Sequence, residues 1–233
     1  MKKYLSVIIS ILIIPAVILA GNMLFKDKQY AFVSIAVSVL ALLQFLLSFE
    51  RKDTAVTKLV IIAVMTALSV AGRMIFAMIP GFKPVTALVI ITAISLGKEA
   101  GFITGALSAV LSNFYFGQGP WTPFQMLTWG LIGWLAGIMG KKLANSKILL
   151  SVFGFLAGIS FSLLLDIWST LWLFNTFKLN TYLLAVSSSL PFMAIYAVSN
   201  VVFLLLLTKP IAKKLERIKV KYGLYAGGRG QNS

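Results

Sequence analysis

Apolar residues run along this chain in long blocks broken by short polar ones. Eight blocks approach or exceed the roughly 20 apolar residues that a bilayer-spanning helix needs. They cover 5–24, 30–49, 59–79, 84–96, 100–116, 124–139, 148–174 and 182–207. The fourth and fifth are short, and only Gly97, Lys98 and Glu99 separate them. The seventh is long enough to be tilted, or broken near Gly154 or Gly158. No period-two alternation of the barrel type competes with helices. The pattern predicts an all-α integral membrane protein of eight spans. It divides into two N-terminal transmembrane helices (1–50), a six-helix membrane domain (51–208) and a basic tail (209–233). The first block, behind Met1, Lys2 and Lys3, also has the form of a signal peptide; a retained helix is the expectation.

Composition agrees with this reading. The 233 residues are 59% hydrophobic and 12% charged, against about 25% charged in a soluble domain. The net charge is +15, and its distribution points to topology rather than nucleic acid. Sixteen of the 21 Lys and Arg residues fall at the N-terminus, in alternate loops and in the tail. Four (Lys26, Lys28, Lys83, Lys178) fall on the other side, and Arg73 lies within a span. The basic side is the cytoplasmic one, so both termini are expected in the cytoplasm of a multi-pass cell-membrane protein. The tail's mixture of basic and apolar residues suits the anionic inner leaflet or a cytoplasmic partner; a solvated anchor is the alternative.

Cysteine and histidine are absent and only six acids are present. That leaves no thiolate zinc site, no Cys/His nucleophile pair and no histidine base. Neither a catalytic nor a metal site is expected, nor a cofactor, and the chain does not read as an enzyme. It has no GxxxxGK[ST] phosphate loop.

Candidate chemistry gathers on the expected outer side. Segment 113–125 (NFYFGQGPWTPFQ) is uncharged. Gly117, Gly119, Pro120 and Pro123 define its backbone path. Asn113, Tyr115, Gln118, Trp121 and Gln125, with Trp129 beyond them, supply aromatic faces and amides for a polar ring compound. An interfacial aromatic belt is the plainer alternative. The turn 80–84 carries Lys83. Asp166 precedes Trp168, Trp172 and Asn175, whose i, i+4, i+7 spacing shares a helical face. Ser187, Ser188 and Ser189 precede Pro191, which should loosen the last span. Arg73 and Asp166 lie deep in apolar sequence, where a charge must be paired or wetted. They form an ion pair, face a wet substrate cavity, or do both. Asn200 suits a contact between helices. Small residues repeat at Ala63, Ala67 and Ala71, at Gly101, Gly105 and Ala109, and at Gly130, Gly133, Gly137 and Gly140. Such rows allow close helix approach. For the alanines, an exposed docking face is the other possibility.

The alanine row, segment 79–84 (IPGFKP) and segment 112–126 (SNFYFGQGPWTPFQM) resemble the substrate-binding S component of energy-coupling factor (ECF) vitamin transporters, in particular the cobalamin type. The likeness covers about 150 residues from Lys58 to Leu207, and the two N-terminal helices are additional to it. It implies a six-helix bundle that binds a vitamin at the external face. It also implies docking through Ala63, Ala67 and Ala71 to a membrane T subunit coupled to two cytoplasmic ATPases. Arg73, Lys83, Asn113, Tyr115, Gln118, Trp121, Gln125, Trp129, Asp166, Trp168, Trp172 and Asn175 are the expected substrate-binding residues. Cobalamin is the expected vitamin, with riboflavin or a pterin as alternatives. The rival function is a self-sufficient permease.

Overall fold

The computed structural model describes residues 56–119, 121–174 and 178–222, with positions 13, 15, 16, 36 and 40 before them. Apart from those five positions, the expected N-terminal pair of spans lies outside the described residues, as do Pro120, Asn175 and 223–233. The described residues form helices and turns with no strand. The helices are α1 (Val56–Ile75), α2 (Val85–Leu96), α3 (Lys98–Phe116), α4 (Trp121–Ile138), α5 (Gly140–Asn145), α6 (Lys147–Phe174) and α7 (Leu179–Lys221). The expected all-helical membrane bundle is the fold observed. Helices α1, α6 and α7 are long and apolar enough to cross a bilayer.

Helix α2 is the hub. Every residue from Val85 to Ala93 is buried, as expected of a helix that is apolar all round. At 12 residues it extends only about 18 Å, less than a hydrocarbon core of about 30 Å. It touches each of the other described helices. Gly97 ends α2 and starts α3 at once, with φ of 98°. A Cβ there meets nothing within 4 Å, so the backbone angle, not space, calls for glycine.

Glycines close the remaining seams. A Cβ on Gly133 of α4 would lie 2.4 Å from the Gly101 carbonyl oxygen of α3. One on Gly105 would lie 2.5 Å from the Trp129 backbone. Helices α3 and α4 therefore meet backbone to backbone, as small-residue rows permit. Gly154 and Gly158 do not break α6, which runs unbroken from Lys147 to Phe174. They make room for α7 instead: a Cβ would meet Leu204 at the first and the Ala197 backbone at the second. The Asn200 amide donates to the Gly154 carbonyl at 3.2 Å, the interhelical contact expected of it.

Helix α7 has 43 residues and runs through both Pro191 and Pro210. The serines before Pro191 leave it continuous. Ser187 and Ser188 donate to the carbonyls of Leu183 and Leu184, four residues back. Past Pro210, α7 is amphipathic. Leu215 is buried and Ile211 and Ile218 pack on the core, while Lys213, Lys214 and Arg217 are exposed. Val56, Val60 and Val64 of α1 and Leu215, Ile218 and Tyr222 of α7 line an apolar cleft of about 420 Å³.

The α3–α4 seam predicts the sign of two alanine substitutions. Helix propensity alone favours alanine over glycine by about 1 kcal/mol. Gly133→Ala should nevertheless lower stability by about 1–3 kcal/mol, because backbone must move. Gly140→Ala, whose Cβ has ordinary contacts at 3.7 Å, should be neutral or stabilising. Thermal unfolding of the two variants in detergent checks the contrast.

Candidate functional site

One end of the bundle collects the end of α1, the turn 77–84, the start of α2, the α3–α4 connection and the α6–α7 ends. Most of the candidate residues converge there. The organising group is Arg73, on the last turn of α1 and 7% exposed. Its Nη1 donates to Ser112 Oγ and, at 2.7 Å, to Asn113 Oδ1. The guanidinium carbon also lies 4.5 Å from the Phe116 ring centroid and 5.3 Å from that of Trp129, within cation–π range. Asn113 spends its own amide on α4. Its Nδ2 donates to Thr122 Oγ1 at 2.8 Å and to Gln125 Oε1 at 2.9 Å. The Thr122 hydroxyl in turn donates to Gln118 Oε1 at 3.0 Å, and Gln118 Nε2 donates to the Val110 carbonyl. The uncharged connection is thus held by its own side-chain amides.

Deeper in, Trp129 Nε1 donates to Tyr196 Oη at 2.8 Å and to Thr86 Oγ1 at 3.2 Å. The two hydroxyls are themselves 2.5 Å apart. This triangle ties α4 to α7 and α2. The Phe161 ring stacks on Trp129 at 4.9 Å and leans on Tyr196 at the same distance. A second aromatic group joins α4 to α6. Trp168 meets Trp121 edge-on at 5.9 Å and stacks with Trp172 at 5.7 Å, with Phe124 beside it. The buried Trp168 Nε1 has no hydrogen-bond partner.

Arg73 and Asp166 do not form an ion pair. Asp166 Oδ2 accepts from Ser189 Oγ at 2.5 Å, so this acid joins α6 to α7. Lys83 sits half-buried in the turn. Its backbone N–H donates to Ser199 Oγ at 2.9 Å, and the same hydroxyl donates to the Lys83 carbonyl. Burial, and then the neighbouring Arg73 charge, lower the Lys83 ammonium to about 8. Tyr115 is 64% exposed and meets only the rim of the cluster, edge-on to Phe116. Asn175 lies outside the described residues.

Ser112 and Thr122, present in the sequence motif but not singled out, prove to be direct partners of the network. Thr86, Phe161 and Tyr196 were not marked at all. Polar residues isolated in apolar helices were the available signal for Thr86 and Tyr196; Phe161 offered none. Along α1, Ala63, Ala67 and Ala71 are exposed beside Val60, Val64 and Leu68.

The described residues thus form a bundle of apolar helices with a polar, ring-lined cluster at one end. Residues 53–217 match the family of the ECF-type riboflavin transporter, S component. The chain belongs to that family, one of transporter subunits for vitamin uptake. No curated protein and no solved structure matches it. The family is named for riboflavin, the vitamin held as an alternative in the sequence reading, and cobalamin finds no support.

Removing the relay at Asn113 should be costly. Asn113→Ala takes an acceptor from a buried cation, and hydrogen bonds to charged groups contribute about 1.5–3 kcal/mol. The loss of stability should exceed that of Gln125→Ala, whose side chain is only partly buried. Paired thermal unfolding curves test the order.

Proposed function

We propose that this chain captures riboflavin, or a ring compound closely similar to it, on the outer side of the membrane, and passes it inward through an ATP-driven complex. The observation that carries this reading is the family match over residues 53–217. The site's chemistry supports it. Trp121, Trp168 and Trp172 offer ring faces that are not fully buried, while Gln118 and Gln125 offer amides for the edge of a heteroaromatic solute. The polarity of the bundle supports the sidedness. Lys58, Lys98, Lys141, Lys142 and Lys147 lie at the end opposite the cluster, which is the cytoplasmic end by the positive-inside rule.

The energy source is external in this reading. The sequence has no phosphate-binding loop of the GxxxxGK[ST] type. The exposed alanines of α1 form a flat face suited to another membrane helix. A transmembrane T subunit is the partner for that face, with two cytoplasmic ATPases attached to it.

Two experiments test the reading. The purified chain should bind riboflavin at one equivalent, read as quenching of flavin fluorescence, and should copurify with T and ATPase subunits. Failure of both removes the proposal. Trp121→Ala should weaken binding about tenfold, equivalent to about 1.4 kcal/mol, while the protein still inserts. Ala67→Leu should leave vitamin binding unchanged and abolish the complex; normal assembly by that variant would remove the docking role.

A further inference from the structure

At the end of the bundle opposite the cluster, α1 and α7 stand apart. Helix α1 packs closely on α2 and α3 but not on α7. Between its first turns and the end of α7 lies the apolar cleft of about 420 Å³. Val56, Val60 and Val64 recur every four residues and share a face of α1; they are 74%, 55% and 52% exposed. Leu215, Ile218 and Tyr222 share a face of α7 at i, i+3, i+7 spacing. By the helical rotation of about 100° per residue, Lys214 and Lys221 flank that face on one side and Lys219 on the other. Lys221 Nζ lies 5.5 Å from the ring centroid of Tyr222, which lines the cleft, so this charge stands at its rim. From Lys209 to Lys221 the chain carries six bases and one acid, Glu216, which is paired with Lys219 at 3.8 Å. Residues 50–55, which lead into α1, hold two acids and two bases in sequence and leave that sum unchanged.

Size and charge together select an occupant. Val56 to Val64 cover about 12 Å of helix, so the cleft has a mean cross-section of about 35 Å². A helix, about 10–12 Å across with its side chains, needs about 80 Å² or more. The cleft is too narrow to seat a helix of this chain or of a partner, and wide enough for a hydrocarbon chain. We propose that it binds one anionic phospholipid, with an acyl chain between Val56, Val60 and Val64 on α1 and Leu215 and Ile218 on α7, and the headgroup phosphate held by Lys214 and Lys221. Clustered lysines beside a membrane attract anionic headgroups. Their stems lie along apolar surface while the ammonium groups reach the phosphate. The bound chain fills the gap between α1 and α7 and gives the first turns of α1 the cover that α7 does not supply. The site is remote from the cluster and does not depend on which vitamin the protein carries.

The test uses the full chain, delipidated in detergent and titrated with dioleoyl phosphatidylglycerol or dioleoyl phosphatidylcholine, which share acyl chains and differ in charge. Native mass spectrometry counts the lipids retained. One phosphatidylglycerol should bind per chain, about ten times or more tighter than phosphatidylcholine, as two lysines beside an anionic phosphate lead one to expect. Lys214→Gln with Lys221→Gln should erase that preference. Val60→Trp, which fills the cleft and leaves every charge in place, should abolish retention of both lipids. Equal retention of the two lipids by the unaltered chain, or retention of neither, overturns the proposal. Phosphatidylglycerol retained undiminished by Val60→Trp overturns it as well, since exposed lysines alone then account for the binding. A phosphatidylglycerol with a photoreactive acyl chain needs no variant. It should label residues 56–64 and 215–222, and labelling confined to other segments, or captured there by an acidic partner instead of lipid, excludes the cleft as its site.

Discussion

A cation buried among apolar helices must be surrounded or the bundle does not close, and the site end of this protein is organised by how Arg73 meets that demand. An unpaired charge at such depth costs at least a few kcal/mol. Arg73 is accommodated by two neutral acceptors on α3 and by the faces of Phe116 and Trp129. The consequences travel outward. Asn113 can offer its oxygen to Arg73 only if its amide nitrogen finds acceptors elsewhere, and these are Thr122 and Gln125 on α4. One side chain of α1 therefore sets the register of α3 against α4 at the mouth of the bundle.

That register depends on close approach farther in. The Gly101–Gly133 and Gly105–Trp129 contacts leave no room for a side chain, so α3 and α4 run as a nearly fused pair. This brings Trp129 inward, where its indole N–H reaches Tyr196 and Thr86. The buried α2, touching every other described helix, supplies Thr86 at its first turn. Hydrogen bonds at the site and glycine contacts below it are thus parts of one packing solution. The aromatic faces stay fixed while the edges of the cluster remain polar.

The hydropathy of the sequence was enough for the bundle, for the six helices α1–α4, α6 and α7, and for the loops that meet at one end. Small-residue spacing identified the α3–α4 seam, and the alanine row of α1 is exposed among the described residues. What was not legible was pairing across long separations. Arg73 and Asp166 looked like natural partners because they are the two deep charges, but each is met by hydroxyl or amide groups from 23 to 40 residues away. Periodicity assigns a residue to a face; it does not say which neighbour that face meets. Gly154 and Gly158 show the same limit, since a glycine in an apolar run can mark either a break or a close contact, and only the position of α7 decides. The neutral, ring-rich segment also suits many heteroaromatic solutes, so its chemistry alone did not separate cobalamin from riboflavin.

Helix α1 serves two surfaces at once. Ala71 is exposed and Arg73 is buried, two residues and about 200° of helical rotation apart. Farther down its inward side, Thr66 and Ser69 are buried without hydrogen-bond partners, as are Thr104 and Ser108 on α3. The side-chain hydrogen bonds observed between α1 and α3 are both made by Arg73. The remainder of that contact depends on close packing of small side chains, a main source of helix association in lipid. Directional bonding between these helices is therefore concentrated at the end where the cluster lies. The exposed alanines and the buried Arg73 thus lie on different sides of one helix.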